Sequence, residues 1–417
     1  MRRFLSHSAL RRAFPRHNRR ARISQSRLLR QHNFQKGVTT VLENKIVNIP
    51  ELLGAFKFKG KLENVTQLFD GHINNTYIFE FCEENGHKNK YLVQELNTYV
   101  FKDPDSLMEN VVGVTNHMHN AVIKNGGDVE RECLYVFFTK ENKPYYVDNN
   151  GCYWRCYNYI YDAHSCQSVD SEQTFFNAAK AFGKFQRMLA DYPIDKLSET
   201  IPNFHNTVSR FADFKKAVAD NLSGRADEAS EEIEFALSRE SDCSVLVDLL
   251  NAGELPLRVT HNDTKLNNVM FDNKTNEGIC VVDLDTVMPG LSLYDFGDSI
   301  RFGANTAAED EKDVSKVSLS LEHFKAYTLG YLSAAGESLT KKEIEYLAFS
   351  SKLMTLECGM RFLGDFINGD VYFKTAYPEH NLVRCRTQFA LVADIERKLP
   401  EMQKIVDDCC RELGIEK

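Results

Sequence analysis

The chain has 417 residues, of which 43% are hydrophobic and 26% charged. This is ordinary globular usage at a length for two or three folded units, and it excludes a disordered, collagenous or coiled-coil chain. No run approaches the roughly 18 consecutive apolar residues of a transmembrane helix, and a net charge of −8 argues against a nucleic-acid binder.

The charge is uneven along the chain. Residues 1–40 hold ten Arg and one Lys and no Asp or Glu, which leaves 40 basic against 59 acidic residues, or −19, for the remainder. An Arg-rich, Ser-containing, acid-free start resembles a mitochondrial transit peptide. A disordered basic arm, or an extension from a misassigned start, is the alternative. Residues 1–42 are therefore set aside as a basic disordered extension. The eleven Cys are scattered singly apart from Cys409-Cys410, with no C-x-x-C pair, which fits free buried thiols in a reducing compartment.

From about Leu53 to Tyr161 the pattern is mostly β. Thr76–Cys82 is β-rich, Glu83–Lys88 has turn chemistry, and Tyr91–Leu96 reads as the returning strand. Asp103-Pro104 then opens a helix over Leu107–Val122. Three further strands are expected at Leu134–Phe138, Tyr145–Val147 and Cys152–Tyr161, the last two joined by the hairpin signal Asp148-Asn-Asn-Gly151. After Asp162 the chain turns helical. Phe175, Ala179, Phe182, Phe185 and Leu189 recur at helical spacing and read as core. Helices are expected again near Arg210–Asn221, at the acid-rich Asp227–Glu240, over 310–357 and over 386–414, with a β insert near 255–290. A β lobe at 43–161 followed by a helical lobe at 162–417 is the outline of an α+β, bilobal, protein-kinase-like fold.

The stretch Val259–Asp272 contains His261-x-Asp263-x-x-x-x-Asn268, the spacing of a kinase catalytic loop. Such a loop needs Asp263 to accept the proton of an attacking hydroxyl. It also needs the amide oxygen of Asn268 on a Mg²⁺ ion that bridges phosphates. The apolar run Ile279–Val282 then delivers Asp283, a second metal ligand twenty residues after Asp263. Tyr294-Asp295-Phe-Gly297 holds the letters of the protein-kinase metal motif but lacks an apolar strand leading into it. Asp295 is therefore read as a structural carboxylate, tying the catalytic loop or a helix N-terminus. Upstream, the turn Gly71-His72-Ile-Asn74-Asn75-Thr76 can aim backbone N–H groups at ATP phosphates, and Tyr159-Ile160-Tyr161 is the hinge bordering the nucleotide. No Walker A pattern exists, which disfavours a P-loop fold.

These blocks, together with A-F-G-K-F-Q at 181–186, V-D-L-D-T-V-M-P-G at 282–290, Y-D-F-G-D-S-I-R at 294–301, R-F-L-G-D at 361–365, G-D-V-Y-F at 369–373 and N-L-V-R-C-R-T-Q at 381–388, resemble the aminoglycoside phosphotransferase/choline kinase superfamily. Within it the chain resembles the N-acetylhexosamine 1-kinases, which phosphorylate the anomeric hydroxyl of GlcNAc and GalNAc. The resemblance runs from about residue 50 to the C-terminus. It implies Asp263 as base, Asn268 and Asp283 on Mg²⁺, and Asp263, Thr286, Arg361 and Tyr372 at the sugar. Arg361 has an alternative partner in Asp365, and Tyr372 an alternative place in a core.

One departure stands out. The strand Tyr91–Leu96 carries Gln94 and Glu95 where kinase-like folds have a lysine for the α- and β-phosphates; the resemblance implies that Gln94 contacts phosphate as a neutral donor. Trp154, the only Trp, is expected to pack the lobe rather than stack on adenine. The expectation is a cytoplasmic, monomeric, ATP- and Mg²⁺-dependent N-acetylhexosamine 1-kinase, with a small sugar and ATP as partners and neither nucleic acid nor membrane. The rivals are a kinase of the same fold for another small hydroxyl compound and an inactive binding protein.

Overall fold

Alternation along Asn75–Cys82 turns Tyr77, Phe79 and Phe81 inward, where all three are buried, as period-two patterning demands. In the computed structural model, which describes residues 40–42, 45–68 and 73–416, this segment is one of five strands in an antiparallel sheet. The basic segment set aside at residues 1–42 lies outside the described residues apart from its last three.

The chain divides into compact units at residues 1–54 and 55–417. In the first, β1 (Thr40–Leu42) pairs antiparallel with β2 (Lys45–Val47), and helix α1 (Ile49–Ala55) begins. The second opens with β3 (Lys61–Leu68), β4 (Asn75–Cys82) and β5 (Lys88–Glu95). Helix α2 (Pro104–Lys124) follows. Asp103 caps it through Ser106 N–H, and Pro104 sits in its first turn, where a missing N–H costs nothing. Then come the short helix α3 (Val129–Glu132), β6 (Tyr146–Val147) and β7 (Tyr153–Asn158). The sheet order is β3-β4-β5-β7-β6. The hairpin between β6 and β7 closes on Asp148, whose side chain accepts from Asn150 and Cys152 N–H, while Gly151 takes the φ of +80° that the turn requires. The single Trp is packed in the lobe, as expected: Trp154 is buried, with Nε1 donating to Asp148 at 2.9 Å.

The helical region begins with β8 (Ala163–Ser165) and α4 (Glu172–Met188), then α5 (Thr207–Asp220), α6 (Ser230–Leu237) and α7 (Glu240–Asn251). The β insert supplies β9 (Arg258–Thr260), β10 (Val269–Asp272), β11 (Gly278–Val281) and β12 (Met288–Gly290), arranged as a β11-β10-β8 sheet and a β12-β9 pair. Helices α8 (Ser292–Gly303), α9 (Leu321–Ala335), α10 (Lys341–Glu345), α11 (Leu347–Asn368) and α12 (His380–Leu413) complete it. Helix α9 packs along α4, α12 along α11, and α11 also against α8 and α5. The aromatic positions read as core in α4 are buried in one large apolar cluster.

Two expected elements differ. Leu134–Phe138 forms only an isolated bridge between Val136 and Tyr157. There the Asn158 side chain accepts Tyr135 N–H at 2.8 Å, taking the place of a ladder carbonyl. Residues 310–320 are not helical except for a short turn at Val314–Lys316. The acid-dense run Glu309-Asp-Glu-Lys-Asp313 offers no apolar stripe, and the segment is tied as a loop by Thr306–Ser318 and Ser320–Ala304 backbone bonds. No described helix is long and apolar enough to cross a membrane, and all eleven cysteines are free.

Candidate active site

The loop expected to be catalytic lies between β9 and β10. His261 is fully buried and bonds Val282 carbonyl through Nε2 at 2.9 Å, while its Nδ1 accepts Asp263 N–H at 3.3 Å. That pairing joins the loop to the strand end that carries Asp283. Asp295, in the first turn of α8, receives the N–H groups of His261 and Asn262 at 2.8 and 2.7 Å, and its carbonyl accepts Thr264 Oγ1 at 2.6 Å. Asp295 thus ties the catalytic loop. Burial pushes its carboxyl up to about 6 against the opposing pull of His261 and the two N–H bonds. The glycine of the Asp-Phe-Gly letters serves packing: a Cβ on Gly297 would collide with the Ser350 carbonyl of α11.

Asp263 and Asn268 are brought together. Asn268 Nδ2 donates to the Asp263 carbonyl at 2.8 Å and to its carboxylate at 3.3 Å. With its N–H₂ committed there, the amide oxygen of Asn268 remains for another ligand. Asp283 sits in the left-handed region at φ 62°, a conformation Asp tolerates and one that recurs at functional sites. Its residue surface is open to solvent, yet protein crowds its carboxyl. Desolvation, followed by the like charges of Asp285 and Asp263, raises it to about 6. A carboxylate that has no hydrogen-bond donor among the described residues and is repelled by two others suits a cation. Among the described residues no three His, Cys, Asp or Glu side chains converge as a metal cluster. Asn268 and Asp283 would therefore be the protein's two oxygen ligands, the sparse coordination that Mg²⁺ accepts alongside phosphates and water.

Of the other sequence-predicted residues, Asn74, Thr76 and Gln94 connect to this centre through Asp285 and Arg155. Gly71 and His72 lie outside the described residues. Asn74 donates to Asp285 at 2.6 Å and accepts Asn97 N–H at 2.9 Å, so its side chain is a tether. Asn75 bonds Glu95 at 3.0 Å, and Thr76 accepts from Gln94 at 3.0 Å. Of the residues expected to form the hinge, Ile160 is buried, Tyr159 and Tyr161 stack edge to face at 5.1 Å, and Arg131 binds the Tyr161 carbonyl together with Asp272.

Thr286 donates to the His261 carbonyl at 2.6 Å, which leaves its hydroxyl only as an acceptor. Arg361 lies among three rings, 5.3 Å from Phe204, 5.9 Å from Tyr372 and 5.7 Å from Phe373, with Glu357 at 3.8 Å. The alternative pair with Asp365 is not formed. Asp365 instead accepts the N–H groups of Val371, Tyr372 and Phe373 and so shapes the loop that holds Tyr372, which is 66% exposed rather than part of a core.

Several residues were not singled out from sequence. Lys265 pairs with Asp263 at 2.8 Å; its only signal was its place inside the motif. His205 bonds Glu357 at 2.8 Å through Nδ1 and the Asn262 carbonyl at 3.2 Å through Nε2. Acceptors on both sides call for a proton on both nitrogens. Although burial disfavours the charge, Glu357 raises the His205 pKa above its ordinary value.

A model of the phosphotransferase enzyme family matches residues 162–315, which hold the catalytic loop, Asp283 and Asp295. In structure the chain is similar to an aminoglycoside phosphotransferase from Alicyclobacillus acidocaldarius, with 12% identity and a TM-score of 0.50 over 82% of this chain and 92% of that one. It is also similar to a Plasmodium vivax ethanolamine kinase (13% identity, TM-score 0.49, 82% and 84% covered) and a Cryptosporidium parvum choline kinase (15%, 0.47, 82% and 91%). The antiparallel β region and the helical region form the bilobal protein-kinase-like fold that the sequence pattern predicts, of the aminoglycoside phosphotransferase/choline kinase type that the resemblance implies.

Proposed function

We propose that the protein is a MgATP-dependent kinase that phosphorylates the anomeric C1 hydroxyl of an N-acetylhexosamine. The observation that carries this reading is the meeting of Asp263, Asn268 and Asp283 on a loop and strand end braced by His261 and Asp295. Asp263 accepts the proton of the C1 hydroxyl as its oxygen bonds the γ-phosphorus, and the bond to the β-phosphate oxygen breaks to release ADP. Lys265 holds the Asp263 carboxylate in place and sets a cation beside the transferring group. Asn268 and Asp283 would hold Mg²⁺, which when bound would supply neutralisation of charge on the phosphates.

The acceptor side favours a neutral hydroxyl compound. Choline needs an open aromatic cage, whereas the Phe204, Tyr372 and Phe373 rings already surround the Arg361 guanidinium. A second guanidinium, Arg210, stands close enough for Arg361 to depress its pKa, after burial, the larger cause. Two cations there oppose a polycationic aminoglycoside. Arg361, the exposed Tyr372 and Thr286 can hydrogen-bond sugar hydroxyls and an acetamide.

The test is ATP consumption against GlcNAc, GalNAc, glucose, choline and kanamycin, with the product examined for loss of its reducing end. Turnover confined to N-acetylhexosamines with a 1-phosphate product is expected. Faster turnover of choline or kanamycin, or none with any acceptor, overturns the reading. Asp263→Asn keeps size and removes proton acceptance, so kcat is expected to fall by about 10²–10⁴ while MgATP binding survives. A kcat within threefold of wild type removes Asp263 from the mechanism.

A further inference from the structure

The lysines of β5 pair within the sheet. Lys88 pairs with Glu63 of β3 at 3.3 Å, and Lys90 with Glu80 of β4 at 2.6 Å. Gln94 faces Thr76 across one ladder and Arg155 of β7 across the other. Its amide is gripped from both sides. Oε1 accepts from Arg155 Nε at 3.0 Å and Nη2 at 2.9 Å, and Nε2 donates to Thr76 Oγ1 at 3.0 Å. The Arg155 side chain is only 1% exposed, lies over the Tyr157 ring at 4.9 Å, and places Nη1 2.5 Å from Asp285 Oδ1. The other Asp285 oxygen accepts Asn74 Nδ2 at 2.6 Å. Asn74 and Thr76 are two residues apart, so the contacts close a ring from the nucleotide turn through Asp285, Arg155 and Gln94 back to Thr76.

A free glutamine amide can flip and present either its oxygen or its N–H₂ to a ligand. A guanidinium has donors and no acceptor, so the Gln94 oxygen must face Arg155. The half-buried amide then has one uncommitted proton, on Nε2, and no uncommitted acceptor. Asp285 cancels the buried charge of Arg155, so Gln94 presents a neutral donor and the cation itself stays covered.

We propose that Arg155 is a positioning residue for the phosphates of the nucleotide. Its bidentate grip on Gln94 locks an N–H donor in place of the missing strand lysine, and its pair with Asp285 ties the nucleotide turn to the strand end that bears Asp283. The proposal rests on the nucleotide-binding part of the kinase reading, and not on the identity of the acceptor.

The test is equilibrium binding of Mg²⁺ with a non-hydrolysable ATP analogue to the full chain, in a cycle of wild type, Arg155→Lys, Gln94→Leu and the double variant. Arg155→Lys keeps a cation for Asp285 and so keeps the fold, which an unchanged thermal midpoint verifies, but an ammonium cannot hold Gln94 with a fork. Arg155→Lys is expected to weaken binding by about 10- to 100-fold, the range for a hydrogen bond to a charged group. Gln94→Leu should do the same, and the double variant should be no weaker than Gln94→Leu alone. A change below twofold in Arg155→Lys, or losses that multiply in the double variant, overturns the proposal. Tight analogue binding by a wild type that turns over no acceptor sinks the sugar-kinase reading and leaves this cycle decisive. A wild type that binds no MgATP analogue overturns both.

Discussion

Asp283 and Asp295 are the same side chain in opposite surroundings. Asp295 accepts two buried N–H groups, so Asp295→Asn turns one acceptor into a donor against an N–H. It is expected to cost about 1–3 kcal/mol of stability while MgATP affinity persists. Asp283 sits among like charges, so Asp283→Asn should abolish phosphoryl transfer and leave the thermal midpoint unchanged or raised. Thermal midpoints and Mg²⁺-dependent nucleotide binding of both variants decide the matter; the opposite pattern would move the metal site to Asp295. His205 carries a pH dependence. Its raised pKa means that its pairing with Glu357 stabilises fully below the ordinary value of about 6.5 and is lost as pH rises through the higher folded value. The destabilisation caused by His205→Gln should therefore be larger at pH 6 than at pH 9 in urea midpoints; an equal loss at both would show that His205 is neutral. The convergence of Asp263, Asn268 and Asp283 was legible because the three lie at short spacings on one loop and one strand end. Phe204, His205, Glu357 and Arg155 were not. They reach the site through helix packing and strand register, which a linear reading does not contain.

At the level of elements, helix α8 is the brace of the catalytic loop. It presents Asp295 to His261 and Asn262 and Asp298 to Thr264 N–H at 3.1 Å, and Phe296 on it packs among Phe324, Tyr327 and Tyr331. Gly297 lets α8 lie directly on the Ser350 backbone and Met354 of α11. Gly297→Ala must push the two helices apart, and since α11 is buried along nearly its whole length, the helices cannot yield freely. A loss of about 1–3 kcal/mol is expected, the usual cost of overpacking, together with a lower kcat as Asp295 is drawn from the loop. Unfolding free energy and steady-state rates check it; an unchanged kcat would uncouple α8 from catalysis. Elements with strong local signals were readable: α2 from its Asp103-Pro104 start and α4 from its aromatic stripe. Leu134–Phe138 failed because a side chain, Asn158, replaced the ladder. Residues 310–320 failed because helical character was extended across an acid-rich run with nothing apolar to bury.

At the level of the whole molecule, the succession of a β region and a helical region is legible because the apolar period changes from two to 3.6 near Asp162. What joins the regions is not, because the joints are single polar side chains with no periodicity. Arg131 of α3 binds the carbonyls of Tyr161 and Asp162 and the carboxylate of Asp272 on β10. Asn110 of α2 is 1% exposed and makes three bonds into the helical region. Its Nδ2 donates to Ser198 and Val287 carbonyls at 2.7 and 3.0 Å, and its Oδ1 accepts Ser198 N–H at 2.8 Å. Val287 directly follows Thr286, so this amide fixes α2 against the turn that leaves Asp283. Asn110→Ala abandons buried backbone groups and is expected to cost about 1–3 kcal/mol. It should also weaken MgATP binding, by about three- to tenfold if only a fraction of molecules then hold both sides of the cleft in register. Glu109→Ala, one residue earlier on the exposed face of the same helix, should change neither quantity. Urea unfolding and nucleotide titration of the two variants side by side test the assignment. Equal behaviour of Asn110→Ala and Glu109→Ala would mean that packing around α2, and not this amide, aligns the two regions over the site.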